Sequence, residues 1–139
     1  MSAGADFVER FAAYWRAPSA EGLDALLAPD VLLVAPMTPT TRTLAEGKRA
    51  FASILALVPD LTAEVHRWGQ TGDGVLIEFT LSGTAGGAPV SWDAVDRIVL
   101  REDGLASARI SYFDTGPLIR AVALRPRAWP AFLRSRLRR

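Results

Sequence analysis

Two stretches within the first 58 residues have hydrophobic side chains at the spacing of helices. Phe7, Phe11 and Trp15 follow one another every four residues, which predicts an amphipathic helix that ends before Pro18. A later helix with the same kind of spacing ends before Pro59. The predicted elements in chain order are a helix over residues 5–17, a short helix over 19–27, a strand over 29–36 and a helix over 47–58.

After Pro59 apolar residues alternate with polar ones, which is the period of β-strands. Glycine-containing turn sequences at residues 72–74, 85–88 and 102–105 separate the alternating stretches and predict hairpins. Helices followed by a run of antiparallel strands predict an α+β domain with helices packed on one face of a curved sheet. The predicted strands span residues 61–70, 75–83, 91–100 and 106–114.

The two later hairpins allow the strand register to be predicted. If residues 86–87 form a two-residue turn, Ile77 lies opposite Asp96 and the apolar faces of the two strands coincide. If residues 103–104 form the next two-residue turn, Asp96 gains neighbours from the last strand on the same face. Those expected neighbours are Ser111 directly opposite, and Arg109 and Phe113 on the diagonals.

Asp96 is the single carboxylate on the apolar face of the strand over residues 91–100. It could donate a hydrogen bond to a ligand oxygen when neutral, or accept a proton as a general base when ionised. It could also form a buried ion pair with Arg109 that performs no chemistry. We name Asp96 and Arg109 as candidate catalytic residues and favour a ligand-contact role for Asp96, because isolated polar groups in apolar pockets orient ligands.

Composition narrows the available chemistry. The 139 residues include no cysteine and a single histidine, His66, which excludes disulfides, thiolate catalysis and a cysteine zinc site. We expect neither a metal nor a cofactor. No apolar run is long enough to cross a membrane and the N-terminal residues lack a signal-peptide core, so we expect a cytoplasmic protein.

Charge divides the chain into two parts. Residues 120–139 hold seven arginines and no acid, whereas residues 1–119 hold nine basic and fifteen acidic residues. We therefore expect one domain over residues 1–120 and a basic arm over residues 121–139. Residues 129–139 have the spacing of an amphipathic helix, which we expect to dock on its own domain rather than on an anionic membrane. No nucleic-acid-binding motif accompanies the arm, and we expect no nucleic-acid partner.

Four stretches carry a resemblance to a known family: the helix with Phe11 and Trp15, then LDALLAPDVLLVAP, GKRAFASIL and VDRIVLREDGLASARISYFD. Together they span roughly residues 5–120. Their order resembles the nuclear transport factor 2-like superfamily and, within it, the SnoaL-like (polyketide-cyclase-like) proteins. The resemblance implies a cone, in which a strongly bent sheet wraps around helices and encloses a deep apolar pocket. Since this superfamily includes several kinds of enzyme and proteins without catalysis, the fold alone does not decide the function.

The resemblance also implies roles for individual positions. Ketosteroid isomerases carry a general base where this chain has Ala35, an oxyanion-hole tyrosine where it has Phe11, and a protonated aspartate that aligns with Asp96. The missing base implies that steroid isomerisation by that mechanism does not occur. Asp96 with Arg109 resembles part of the water-activating set of limonene epoxide hydrolases, although Asp114 has the wrong strand parity to complete it. Asp96 alone resembles the single aspartate of the polyketide cyclases.

The sequence therefore predicts a protein that binds a small hydrophobic molecule in an apolar pocket. One interpretation adds general acid–base catalysis of the isomerase, cyclase or hydrolase type at Asp96; the other is a non-catalytic ligand-binding or dimerisation module. The predicted ligand contacts are Phe11, Trp15, Phe51, Leu55, Ile77, Phe79, Leu81, Trp92, Ser111 and Phe113. A half-apolar outer sheet face, as in relatives that dimerise, predicts a homodimer through Glu78, Thr80, Val95, Arg97, Val99, Ile110 and Tyr112.

Overall fold

The computed structural model describes residues 2–123 together with Pro130, Leu133 and Arg134. Most of the basic arm, with the helix expected over residues 129–139, lies outside the described residues, so its docking stays a prediction. No helix in the described part of the chain is long and apolar enough to cross a membrane. The elements are α1 Ala3–Tyr14, a 3₁₀ helix Glu21–Ala25, β1 Leu27–Val34, α2 Leu44–Leu57, β2 Thr62–Gln70, β3 Gly74–Ala85, β4 Ala88–Leu100, β5 Ala106–Phe113 and α3 Gly116–Ala123.

The five strands form one sheet in the order β1-β5-β4-β3-β2. Strands β2 to β5 pair antiparallel, as the hairpin sequences predict, whereas β1 pairs parallel with β5. The alternation pattern identifies no partner for β1, so this parallel edge was not part of the prediction. The predicted α+β class, with α1 and α2 on one face of the curved sheet, is confirmed.

The predicted register of the three central strands is confirmed. Ile77 pairs with Asp96, and Asp96 pairs with Ser111. Gly86 and Gly87 have φ of 60° and 86°, so both occupy the left-handed region that a two-residue hairpin turn of the I′ type requires. These glycines fix the pairing of β3 with β4, and hence place the carboxylate of Asp96 on the inner face.

The β4–β5 turn reaches its predicted register by a different route. The turn holds three residues rather than two, since Arg101 N–H donates to the Leu105 carbonyl and Gly104, at φ 83°, supplies the left-handed residue. A bulge at Ser107 then inserts one extra residue into β5, because Leu100 pairs with Ala106 whereas Val99 pairs with Ala108. The predicted two-residue turn is therefore wrong. The extra residue of the bulge offsets the extra residue of the turn, so the register from Val99 onwards is the predicted one.

Helix ends account for two further differences. Helix α2 begins at Leu44, three residues before the predicted start, because Thr43 caps it: the Glu46 backbone N–H donates to the Thr43 hydroxyl at 3.2 Å, and that hydroxyl donates to the Glu46 carboxylate at 2.8 Å. Helix α3 was not predicted. Asp114 stabilises its start by accepting a hydrogen bond from Gly116 N at 2.9 Å. The predicted domain boundary after residue 120 falls inside this helix.

Aromatic rings of α1 fill the core between this helix and the sheet. Phe7, Phe11 and Trp15 are fully or almost fully buried, as their four-residue spacing predicts. The Phe11 ring lies 5.2 Å from that of Phe79 on β3, with the edge-to-face geometry that aromatic pairs favour. This aromatic cluster packs the space between α1 and the sheet.

Candidate functional site

The carboxylate of Asp96 is fully buried at the middle of β4 and is held by two side chains of β5. Arg109 Nε lies 2.5 Å from Asp96 Oδ2, and Ser111 Oγ donates to Asp96 Oδ1 at 2.6 Å. All three residues share the inner face of the sheet because Ser111 lies opposite Asp96 and Arg109 pairs with the next inner residue, Ile98. The predicted diagonal placement of Arg109 is what permits this ion pair.

Aromatic rings orient the guanidinium of Arg109 from its other side. Its Cζ lies 5.6 Å from the ring centre of Trp15 and 6.0 Å from that of Phe11, within the range of cation–π attraction. Its Nε donates a hydrogen bond to Asp96, and neither terminal nitrogen hydrogen-bonds to a residue that the structure describes. The side chain is 18% exposed and lines the smaller of the two cavities described below.

Two adjoining cavities lie between α2, residues 36–41 and the inner face of β4 and β5. The larger has a volume of about 270 Å³, and Trp92, Phe113 and Leu118 form part of its apolar wall. The smaller, of about 60 Å³, reaches the buried ion pair. Residues shared by the two linings are Thr38, Pro39, Thr41, Ala50 and Ile54.

Arg109 and Ser111 line the smaller cavity, whereas Asp96 lines neither. The carboxylate therefore meets the cavities only through the two side chains that hold it. Ala35, where the family resemblance implies a base in ketosteroid isomerases, also lines the smaller cavity and supplies only a methyl group.

Four of the ten predicted ligand contacts line these cavities. Trp92 and Phe113 border the larger cavity, and Phe51 and Ser111 border the smaller one. The other six lie outside both linings and pack in or against the hydrophobic core: Phe11, Trp15, Leu55, Ile77, Phe79 and Leu81. Their role as ligand contacts stays a prediction.

Several lining residues were not among the predicted contacts. Residues 36–41 form a loop rich in proline and threonine directly after β1. The composition of this loop was the sequence feature that could have indicated its place in the cavity wall. Ile54 lies on the same helix face as Phe51, which was a second signal. Leu118 belongs to α3, a helix that the hydrophobic pattern of the sequence did not predict.

Thr41 lines both cavities, and its side-chain hydroxyl is buried. Its backbone N–H and carbonyl pair with Leu33 at 3.0 and 2.9 Å, which fixes the residue against β1. Its side-chain oxygen is buried and has no hydrogen-bond partner among the described residues.

Two other polar side chains that could serve as acids or bases are engaged elsewhere. Tyr14 O–H donates to the Ser19 carbonyl at 2.8 Å, and burial raises the pKa of this phenol well above its usual value. His66 Nε2 lies 2.6 Å from the Thr80 hydroxyl, which donates to Asp93 on the outer face of the sheet. Within the described residues no group of His, Asp and Glu side chains could hold a metal ion.

Comparison with known proteins defines the class. The sequence matches the SnoaL-like domain family over residues 8–108, and the chain belongs to that family. No protein of curated function matches the sequence closely enough to count as a relative.

Solved structures with the same fold share about a fifth of the sequence. TerC, co-crystallised with polyporic acid, is 22% identical with a TM-score of 0.77, the match covering 88% of this chain and 99% of TerC. A protein of unknown function from Burkholderia pseudomallei is 20% identical with a TM-score of 0.79, over 88% of this chain and 98% of the other. IdmH, a putative polyketide cyclase from Streptomyces antibioticus, is 21% identical with a TM-score of 0.72, over 86% and 98%. At these identities the likeness establishes the nuclear transport factor 2-like cone fold.

Proposed function

We propose that this SnoaL-like protein binds a small, largely apolar molecule in the two adjoining cavities. The observation that carries the proposal is the position of Arg109, which borders an otherwise mostly apolar cavity and whose terminal N–H donors have no partner among the described residues. A cavity with apolar walls and a few convergent polar groups is typical of small-molecule sites. The larger cavity supplies volume next to Trp92 and Phe113, and the smaller one supplies donors.

General acid–base catalysis at Asp96 is the finer form of this proposal. A proton could pass between Asp96 and a ligand only if Arg109 or Ser111 moved aside, since the carboxylate lines neither cavity. The second candidate, a non-catalytic binding protein, is favoured by the two hydrogen bonds that already satisfy the carboxylate. In that case Asp96 is a positioning residue that aims Arg109 at the ligand.

Blocking the cavity tests the binding proposal directly. Ala50 lines both cavities, so Ala50→Leu narrows their junction, whereas Ala13→Leu places the same side chain on the exposed face of α1. Polyporic acid is the first compound to titrate because a protein of the same fold was crystallised with it. We expect Ala50→Leu to weaken binding and Ala13→Leu to leave it unchanged. Equal binding by the two variants would place the ligand elsewhere.

Native mass spectrometry of the purified protein addresses the identity of the ligand and the catalytic alternative. We expect a co-purified apolar molecule that Ala50→Leu displaces. If a recovered molecule is chemically transformed by the protein, Asp96→Asn separates the two candidates. Loss of turnover with retained binding supports catalysis at Asp96, and unchanged turnover excludes it.

A second copy of the chain is the partner that we propose for the outer sheet face. Tyr112 and Leu76 are 57% and 41% exposed on this face, and Val95, Val99 and Ile110 beside them are half-buried. Adjacent exposed apolar side chains of this kind favour association. Sedimentation should show a dimer that Tyr112→Glu dissociates and that Ala13→Glu, on the exposed face of α1, leaves intact. A monomeric wild-type protein would contradict the proposal.

A further inference from the structure

We infer that residues 35–40 form a lid over both cavities, and that this lid opens when Met37 leaves a strained backbone conformation. The inference rests on the proposed binding function and adds the route by which a molecule enters the cavities. Opening of such a lid controls how fast a molecule enters and leaves the site.

Met37 is the one residue other than glycine with a positive φ in the part of the chain that the structure describes. Its φ is 68°, in the left-handed region where a Cβ atom crowds the following carbonyl oxygen. Met37 follows Pro36 in a turn, and glycine or asparagine is the usual residue where a turn requires a positive φ. The closed lid therefore holds backbone strain that a change of φ at Met37 would release.

The lid is fastened to the domain at its base. Leu33 N–H donates to the Thr41 carbonyl at 2.9 Å and Thr41 N–H donates to the Leu33 carbonyl at 3.0 Å, which brings the two ends of the segment together. Above this pair the Thr38 hydroxyl donates to the Ala35 carbonyl at 3.3 Å, a bond within the lid itself. The lid also contains two prolines, which have no N–H to donate. A segment with few backbone hydrogen bonds opens at a lower free energy than the paired strands beside it.

The lid forms part of the wall of both cavities. Residues 36–40 line the larger cavity, and Ala35 with residues 38–39 lines the smaller one. Ser53 and Trp92 line other parts of the larger cavity and are only 5% and 7% exposed, so the closed structure presents little of their surface to a reagent in solution. These two residues belong to α2 and β4, whereas the lid can move without breaking a helix or a strand.

Thiol labelling measures opening of the lid without any ligand, because the chain has no cysteine of its own. Ser53→Cys places one thiol in the wall of the larger cavity, and mass spectrometry follows its reaction with N-ethylmaleimide. Two reference variants bracket this rate: Thr62→Cys is exposed on β2, and Val75→Cys is fully buried in β3 outside both cavity linings.

Local opening should give Ser53→Cys an intermediate rate. We expect it to react about tenfold or more slowly than Thr62→Cys, and about tenfold or more faster than Val75→Cys, which requires global unfolding. A rate equal to that of Thr62→Cys would show that the cavity is open without a lid. A rate equal to that of Val75→Cys would show that no local opening exposes the cavity wall. Either result would overturn the inference.

Substitutions at Met37 assign the opening to the lid. Met37→Gly and Met37→Ala both remove the side chain, but only glycine adopts a positive φ without strain. In the Ser53→Cys background, Met37→Ala should therefore react about threefold faster than Met37→Gly. The same two substitutions in the Val75→Cys background correct for a change in global stability. Equal rates, or a faster reaction of the glycine variant, would show that a different part of the wall moves.

Tetralin, a small apolar hydrocarbon, separates the lid from the proposed function. At saturating concentration it should slow the labelling of Ser53→Cys and leave that of Thr62→Cys unchanged, because it occupies the cavity. If tetralin gives no protection although the Met37 variants differ as expected, the lid is supported and the proposed binding function is not. If tetralin protects Ser53→Cys although the Met37 variants react equally, the cavity binds ligand and the lid is wrong.

Discussion

Arg109 borders the smaller cavity, and the carboxylate of Asp96 that it holds at 2.5 Å is fully buried behind it. Removing one member of a buried ion pair strands the other, so Asp96→Leu should lower the free energy of unfolding by about 3 kcal/mol. Asp96→Leu combined with Arg109→Met should recover most of that loss, since apolar residues replace both charges. Urea unfolding of the three proteins measures the difference.

Arg67 and Glu78 provide the comparison for that pair. Their atoms lie 3.2 Å apart on the outer face, with both side chains exposed, and exposed pairs contribute little. We expect Glu78→Ala to cost less than about 1 kcal/mol. If the double variant Asp96→Leu/Arg109→Met is as unstable as Asp96→Leu alone, the loss of stability does not come from a stranded charge.

Neutralising Asp96 should also change which ligand the site prefers. Asp96→Asn leaves the charge of Arg109 uncompensated and keeps an oxygen that can accept from Arg109 Nε. An apolar probe with one negative charge, 1,2,3,4-tetrahydronaphthalene-1-carboxylate, should then gain affinity relative to the uncharged hydrocarbon tetralin by about tenfold. Competition between the two probes measures this ratio, and an unchanged ratio would mean that Asp96 does not set the charge of the cavity.

Tyr14 should remain un-ionised for as long as the fold persists. Burial raises the pKa of its phenol above the ordinary value of 10.0, so the stability from this group is present below pH 10.0 and is lost as pH rises further, when the unfolded chain ionises first. In a Tyr112→Phe background Tyr14 is the one remaining tyrosine. Phenolate absorbance should appear together with loss of circular dichroism; earlier ionisation would show that Tyr14 is accessible.

The start of β2 is tied to β3 through Asp60. The Thr84 hydroxyl and backbone N–H donate to its two carboxylate oxygens at 2.8 and 2.7 Å, and these bonds hold the pKa of Asp60 below its usual 3.8. The stability that this carboxylate contributes is present above pH 3.8 and is lost as pH falls below it through the folded pKa. Thr84→Val should raise the pKa towards 3.8 in an NMR titration of the carboxyl carbon. An unchanged pKa would assign the shift to the backbone N–H alone.

Gly74 occupies a place where β3 and β4 approach too closely for a side chain. A Cβ at this position would overlap the backbone carbonyl of Ile98, which cannot move without breaking the strand pairing. Gly74→Ala should therefore cost about 2 kcal/mol or more in thermal or urea unfolding. Gly72→Ala, two residues earlier with no atom nearby, is the matched control and should be tolerated.

The inner face of β3, β4 and β5 could be predicted from alternation because a slip of one residue would expose every apolar side chain. The placement of Ile77, Asp96 and Ser111 follows from that constraint together with the paired glycines at residues 86–87. Periodicity likewise predicts the buried rings of Phe7, Phe11 and Trp15, since side chains four residues apart lie on the same face of a helix.

Features that depend on contacts distant in the chain were not predictable. Alternation cannot reveal a bulge, so neither the extra residue at Ser107 nor the register shift between Val65 and Arg67 in β2 was foreseen. The volume beside Arg109 depends on where residues 36–41 and α2 settle against the sheet. Periodicity marks Phe11 and Phe79 as apolar and inward, but it cannot distinguish a ring that lines a cavity from one that fills it.

The bulge at Ser107 decides which side chains the cavity contains. If the three-residue turn continued into a regular ladder, Asp96 would face Ile110, and Arg109 would lie beside Arg97 on the opposite surface. An insertion or deletion of one residue in this hairpin, without a compensating bulge, would turn the inward-facing side chains of β5 to the outer face of the sheet. Their outward-facing neighbours would then face the cavity. A change of length between residues 101 and 108 would therefore change the binding chemistry of the cavity without any substitution elsewhere in β4 or β5.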